Sequence, residues 1–113
     1  MIALGPGREF DIIRTLLARW GARATGIGDD AALLDVPAGE QLVVSADSSV
    51  EHIHFERAWL TPREIGYRAT MAALSDLAAM AAPPLGVLLG LGLPKSWLDA
   101  EGDLADGVGD ALD

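Results

Sequence analysis

Oxygen-bearing side chains suited to a hard cation recur at four places in this chain. The first is Gly26-Ile27-Gly28-Asp29-Asp30-Ala31-Ala32, where two glycines lead into two adjacent carboxylates and then an apolar run. Adjacent carboxylates repel one another and contribute no packing, so a fold gains nothing from them unless a cation is shared. Mg²⁺ takes oxygen ligands and commonly links one or two carboxylates to substrate phosphates. The second place is Ser45-Ala46-Asp47, and the third is Asp76. The fourth, Glu51-His52-Ile53-His54-Phe55, carries both histidines of the chain. Each has a simpler explanation. Gly-Asp is common turn chemistry, and Asp76 can be a carboxylate at the edge of a helix face. Two histidines two residues apart could ligate zinc, but no third strong ligand lies nearby in sequence, which favours solvated or substrate-facing rings.

The elements that must position these groups can be read from periodicity. Phe10, Ile13, Leu16, Leu17 and Trp20 form one face of an amphipathic helix from Glu9 to Trp20, stopped at Gly21. Arg14 and Arg19 lie off that stripe, and the expectation for both is a solvated side chain. A strand follows the Gly26–Asp30 loop to about Val36, and Pro37-Ala38-Gly39-Glu40 reads as a turn before a second strand, residues 41–47. If those strands pair antiparallel, Ser45 and Asp47 return close to Asp29 and Asp30. Alternation over residues 48–57 then places Val50, His52 and His54 on one strand face.

Leu60-Thr61-Pro62-Arg63-Glu64 is a helix start, with Thr61 as N-cap, Pro62 in the first turn and Glu64 completing a capping box. That helix runs to about Met80, with Ile65, Ala69, Ala72, Ala73 and Leu77 as its buried side. Asp76 falls near the stripe, where an unpaired charge is costly and a cation shared with Asp30 and Asp47 would supply a partner. Pro83-Pro84 end the helix, and residues 85–93 form a continuous apolar strand. Pro94-Lys95-Ser96 starts a last helix, with Trp97, Leu98, Leu104, Val108 and Leu112 buried and three glycines weakening it.

Bulk composition narrows the function. The 113 residues suit one domain, 1–113. The net charge of −9 argues against a nucleic-acid partner and makes phosphate ligands dependent on cations. With no cysteine, disulfides and thiolate chemistry are excluded. No uninterrupted apolar stretch is long enough for a membrane span, and the short N-terminal lead lacks the basic start of a secretory signal. The expected setting is cytoplasmic.

Four blocks in this order, Gly26–Ala32, Leu42-Val43-Val44-Ser45-Ala46-Asp47, Val50–Phe55 and Leu74-Ser75-Asp76-Leu77-Ala78-Ala79-Met80, resemble the thiamine-monophosphate kinase family. Its wider superfamily includes aminoimidazole ribonucleotide synthetase and selenophosphate synthetase. The resemblance implies an α/β (α+β) fold: a mixed sheet backed by helices, pairing through its sheet into a homodimer. It implies transfer of the ATP γ-phosphoryl group to thiamine monophosphate, with Mg²⁺ as cofactor. Carried over residue by residue, Asp30, Ser45, Asp47 and Asp76 are metal ligands and His54 contacts the substrate.

Three positions depart from the family pattern. Ala46 replaces a threonine, Ala73 an asparagine, and Met80-Ala81-Ala82 stands for Met-Gly-Ala. These leave two alternatives open: a related kinase with another phosphorylated acceptor, or a non-catalytic dimerisation module of the same fold. Selenophosphate synthetase chemistry needs a reactive cysteine or selenocysteine, which is absent. The family continues into a Gly-Gly-Asp-Thr motif and a second domain outside these residues, so the expectation for this chain alone is little or no activity.

Overall fold

The apolar stripe at Phe10, Ile13, Leu16, Leu17 and Trp20 becomes helix α1 (Arg8–Trp20) in the computed structural model, which describes residues 6–24 and 31–113. Gly21 ends α1 at φ 55°, followed by a single 3₁₀ turn, Gly21–Arg23. Helix α2 (Pro62–Ala79) begins as the capping-box residues require. The Glu64 amide donates to Thr61 Oγ1 at 3.2 Å, and the Thr61 amide donates to Glu64 Oε1 at 3.1 Å. It stops before Pro83-Pro84, with Ala81 in the left-handed region at φ 53°. A 3₁₀ turn at Lys95–Trp97 precedes helix α3 (Glu101–Leu112).

Helix α3 is the centre of the fold. It packs along α2 on one side and against α1 on another. The approach to α2 depends on glycine. A Cβ added at Gly66 of α2 would overlap the Leu104 carbonyl oxygen, and one at Gly107 of α3 would overlap that of Arg63. Gly107, one of the three glycines that weaken α3 as an isolated helix, therefore lets its backbone lie directly on α2. The core collects beside this crossing from Ile65, Trp97, Ala100 and Leu104, with Phe55, Leu60 and Leu93 packed against it. Of the residues expected to be buried on the last helix, Leu104 and Val108 of α3 and Trp97 of the preceding 3₁₀ turn are buried, Leu98 is half-buried and Leu112 is exposed. In α2 the buried residues are Ile65, Gly66 and Thr70, so burial concentrates in its first half.

The mixed sheet anticipated for residues 31–36, 41–47 and 85–93 is not formed. Among the described residues there are three α-helices and no strands, and pairing is limited to isolated bridges such as Glu51 with Phe55. The physical reason lies in where backbone hydrogen bonds come from. A helix closes its own bonds residue by residue, whereas a strand needs a neighbour, and a lone hairpin is marginal in water. Alternating Val and Leu report a side chain fit for a half-buried surface, not the presence of that surface. Here α3 occupies the face of α2, and most side chains of the extended segments are left uncovered. Leu33 is 90%, Val44 78% and Leu88 92% exposed.

The turn between the extended segments does form. The Glu40 amide donates to the Pro37 carbonyl at 3.2 Å, with Gly39 at φ 83° supplying the positive φ of a type II turn. The surface area shows the cost of the unpaired segments. The chain exposes 8006 Å², roughly a third more than the ~5,900 Å² expected for a folded monomer of this mass. Among the described residues, no helix is long and apolar enough to cross a membrane.

Candidate functional site

Two of the four residues expected to hold metal come together. Ser45, in an extended segment, donates its Oγ–H to Asp76 Oδ2 on α2 at 3.0 Å. This contact spans 31 residues of sequence, and it is made on the exposed face of α2 beyond its packed half. Asp76 is thus exposed and not beside the packed stripe where it was expected, and its partner is a hydroxyl. Asp47, two residues on, accepts from the Ser48 amide at 2.8 Å and is exposed. Asp30 lies outside the described residues, as does Asp29. Among the described residues, no three His, Cys, Asp or Glu side chains gather as a metal site. The hydroxyl and carboxylate oxygens of Ser45 and Asp76 are nonetheless a donor pair that suits a hard cation, and their exposure leaves room for water ligands. Among the described residues, no basic side chain pairs with Asp47 or Asp76.

The histidine segment is not a strand. Residues 50–55 form a tight turn in which the Ile53 and His54 amides both donate to the Val50 carbonyl, at 3.1 and 2.8 Å. The His52 amide donates to the Phe55 carbonyl at 2.8 Å, and His52 itself sits at φ 68°. A left-handed residue breaks the alternation that would have put both rings on one face. They separate instead. His52 Nδ1 lies 2.8 Å from Glu56 Oε2, a hydrogen bond that raises the His52 pKa above its ordinary value. His54 turns back so that its Nδ1 accepts the Val50 amide at 2.9 Å. An amide N–H can only donate, so Nδ1 carries the lone pair and the proton of the neutral ring resides on Nε2. His54 thereby offers an exposed Nε2–H donor, the atom that a phosphate or carbonyl oxygen would accept from.

Sequence reasoning missed what holds this turn. Phe55 stands edge-on to Trp97, with ring centroids 6.0 Å apart and planes at 72°. The Arg57 guanidinium lies 4.6 Å from the centre of the Trp97 ring and donates to the Ser96 carbonyl at 2.9 Å. No periodicity links positions 55 and 57 to 97, so only the fold reveals the contact. Arg19, expected to be solvated, is likewise engaged: it pairs with Asp106 of α3 at 2.5 Å. Arg14 pairs with Asp11 one turn back.

Known proteins place the same residues in context. The curated thiamine-monophosphate kinase of Synechococcus elongatus is 59% identical over 75 residues, covering 63% of this chain and 23% of the relative. That of Bacillus subtilis is 38% identical over 96 residues, covering 82% of this chain and 30% of the relative. That of Salmonella typhimurium is 44% identical over 82 residues, with 70% and 25% covered. The chain thus spans between 23% and 30% of the length of these relatives. No solved structure matches it. Residues 28–113 match the model of the AIR synthase related protein N-terminal domain, and with most of its length inside that match the chain belongs to this family.

Proposed function

We propose that this chain is the N-terminal lobe of an ATP-dependent kinase that phosphorylates thiamine monophosphate. The observation that carries the reading is the Ser45–Asp76 contact, because it joins two residues that the family resemblance independently names as metal ligands. Its support from relatives is that thiamine-monophosphate kinases are 38–59% identical to this chain over 75 to 96 residues.

The donor set fits Mg²⁺ in chemistry. Ser45, Asp47 and Asp76 supply oxygens only, and Asp30 would join them from the preceding loop. Magnesium bound there would neutralise the nucleotide phosphates, which an acidic protein otherwise repels. In the reaction a phosphate oxygen of thiamine monophosphate bonds to the γ-phosphorus of ATP. The bond from that phosphorus to the β,γ-bridging oxygen breaks, giving thiamine diphosphate and ADP. The chain supplies no nucleophile, and its work is to orient phosphates and offset their charge. His54 contributes the Nε2–H donor to the substrate. The proposed setting is the cytoplasm, in keeping with an acidic chain without cysteine.

We further propose that the lobe is a homodimer. Its excess surface exceeds the ~800 Å² that each partner buries in a standard interface, and the apolar side chains of 31–50 and 85–93 are the ones left uncovered. Calorimetric titration of the chain with ATP, with and without Mg²⁺, tests the kinase reading. Metal-dependent nucleotide binding that weakens by at least about tenfold in Asp76→Asn, one lost charge-assisted contact's worth, is expected. ATP binding indifferent to both metal and substitution refutes it.

A further inference from the structure

His54 sits on a six-residue turn outside the helices, and its ring has a fixed role only if the turn is held. Inside the turn the Val50 amide sets the ring, through Nδ1 at 2.9 Å. Outside it, the next side chain, Phe55, is half-buried against Trp97 at 6.0 Å. Trp97 is 3% exposed and part of the core cluster with Ile65, Ala100 and Leu104. On the Trp97 ring lies Arg57, 4.6 Å from its centre, and the Arg57 hydrogen bond to the Ser96 carbonyl fixes the guanidinium over the ring rather than beside it. A planar cation stacked on a partly desolvated indole is attracted by the ring quadrupole, and the edge-to-face Phe55 contact uses the same ring. Residues on both sides of the turn's exit thus grip one buried side chain some 40 positions away in sequence.

We propose that Trp97 and Arg57 are positioning residues for His54: by clamping Phe55 and the chain after it, they keep the 50–55 turn closed and the His54 Nε2–H aimed outward as a donor to a phosphate-bearing ligand. The clamp rests on the kinase reading only for the identity of that ligand. It ties the orientation of a surface imidazole to the hydrophobic core beside α2 and α3, so a ligand drawn to His54 meets a pre-set donor instead of paying to order a loop.

The test uses the ¹⁵N-labelled chain, with long-range imidazole correlation spectra recorded above the ordinary histidine pKa. The wild type is expected to show His54 with unprotonated Nδ1 and protonated Nε2, and a protected Val50 amide. Arg57→Ala and Trp97→Leu should average the His54 tautomers and speed Val50 amide exchange by about tenfold, the scale of a lost cation–π contact near a desolvated ring. Arg57→Lys, which keeps a cation over the ring, should restore most of the wild-type signature. Arg63→Ala, which breaks the exposed pair with Asp110 between α2 and α3, should lower stability without moving His54. If Trp97→Leu fails to fold, the Arg57 pair decides the matter. Unchanged His54 and Val50 signals in Arg57→Ala overturn the clamp. Thiamine monophosphate is then added to the wild type. A silent His54, with the variants behaving as expected, upholds the clamp and removes the substrate role assigned to His54.

Discussion

Replacing Gly107 and Gly109 by alanine, one at a time, should move stability in opposite directions although both sit in α3 and both are buried. By intrinsic propensity each change favours the helix by up to about 1 kcal/mol. At Gly109 the atoms nearest the new methyl all belong to the Arg23 guanidinium, the closest 3.5 Å away. That is an ordinary contact with a flexible side chain, so the propensity gain is kept. At Gly107 the methyl would overlap the Arg63 carbonyl oxygen and lie 2.8 Å from its carbon and 2.9 Å from the Tyr67 amide nitrogen. Backbone atoms inside a helix cannot rotate away, so α2 and α3 must separate and lose packing along their crossing. Overpacking of this kind costs ~1–3 kcal/mol and sometimes more. The larger end applies here because the clash is with main chain. Set against the propensity gain, the net loss is about 2 kcal/mol, a fall of roughly 8 °C in Tm at this chain length, while Gly109→Ala gains about 2–4 °C. Thermal unfolding followed by circular dichroism reads both. A Gly107→Ala protein as stable as the wild type would mean that α3 does not lie on α2 as described.

Other consequences can be measured more simply. Thr61→Ala removes the acceptor for the Glu64 amide and should cost about 1 kcal/mol in unfolding free energy. The Arg63 hydrogen bond holds the Asp110 pKa below its ordinary 3.8, so this pair stabilises fully above that value and is lost as pH falls through the lower folded value. Asp110→Asn should therefore flatten the acid limb of a stability–pH curve. The sign reverses at His52, whose pKa is raised above 6.5 by Glu56: its contribution is complete below that value and disappears as pH rises through the folded pKa. His52→Gln should flatten that limb, with Glu51 the other carboxylate acting on the ring. Sedimentation at micromolar concentration should find a dimer, and a stable monomer would remove the self-association proposed above.

What the sequence disclosed divides along the range of the forces involved. Helix α1 and the start of α2 were legible because their signals are local: a stripe of spacing three and four, a proline in the first turn, a capping box closed within four residues. The onset of α3 was less so, since Pro94-Lys95-Ser96 opens a 3₁₀ turn and the α-helix begins only at Glu101. Residues 31–50 and 85–93 have the composition of strands, but a strand's bonds belong to its neighbour, and no composition specifies a neighbour. The His52–His54 pair misled for a different reason. Period-two reading assumes extended backbone, and one residue at φ 68° redirects both rings.

The distribution of charge makes a further argument. The chain has 17 acidic residues against 8 basic ones, so neutralisation by arginine is scarce and its placement is informative. Three of the eight go to the acidic side of α3: Arg19 to Asp106, Arg63 to Asp110 and Arg23 to Asp113. These acids recur every three or four residues and would otherwise repel each other along one helix face. Asp47 and Asp76 receive none of this supply, and Asp76 is met by a neutral hydroxyl. Among the described residues, Asp47 and Asp76 are exposed and share this lack of a basic partner with the exposed Asp35, Glu40 and Asp99, so water solvates them and leaves them open to a divalent cation. The contrast is measurable: added Mg²⁺ should shift the resonances of Ser45, Asp47 and Asp76 while those of Asp106, Asp110 and Asp113 stay in place. A uniform response across all the acids would reduce the cation's role to screening.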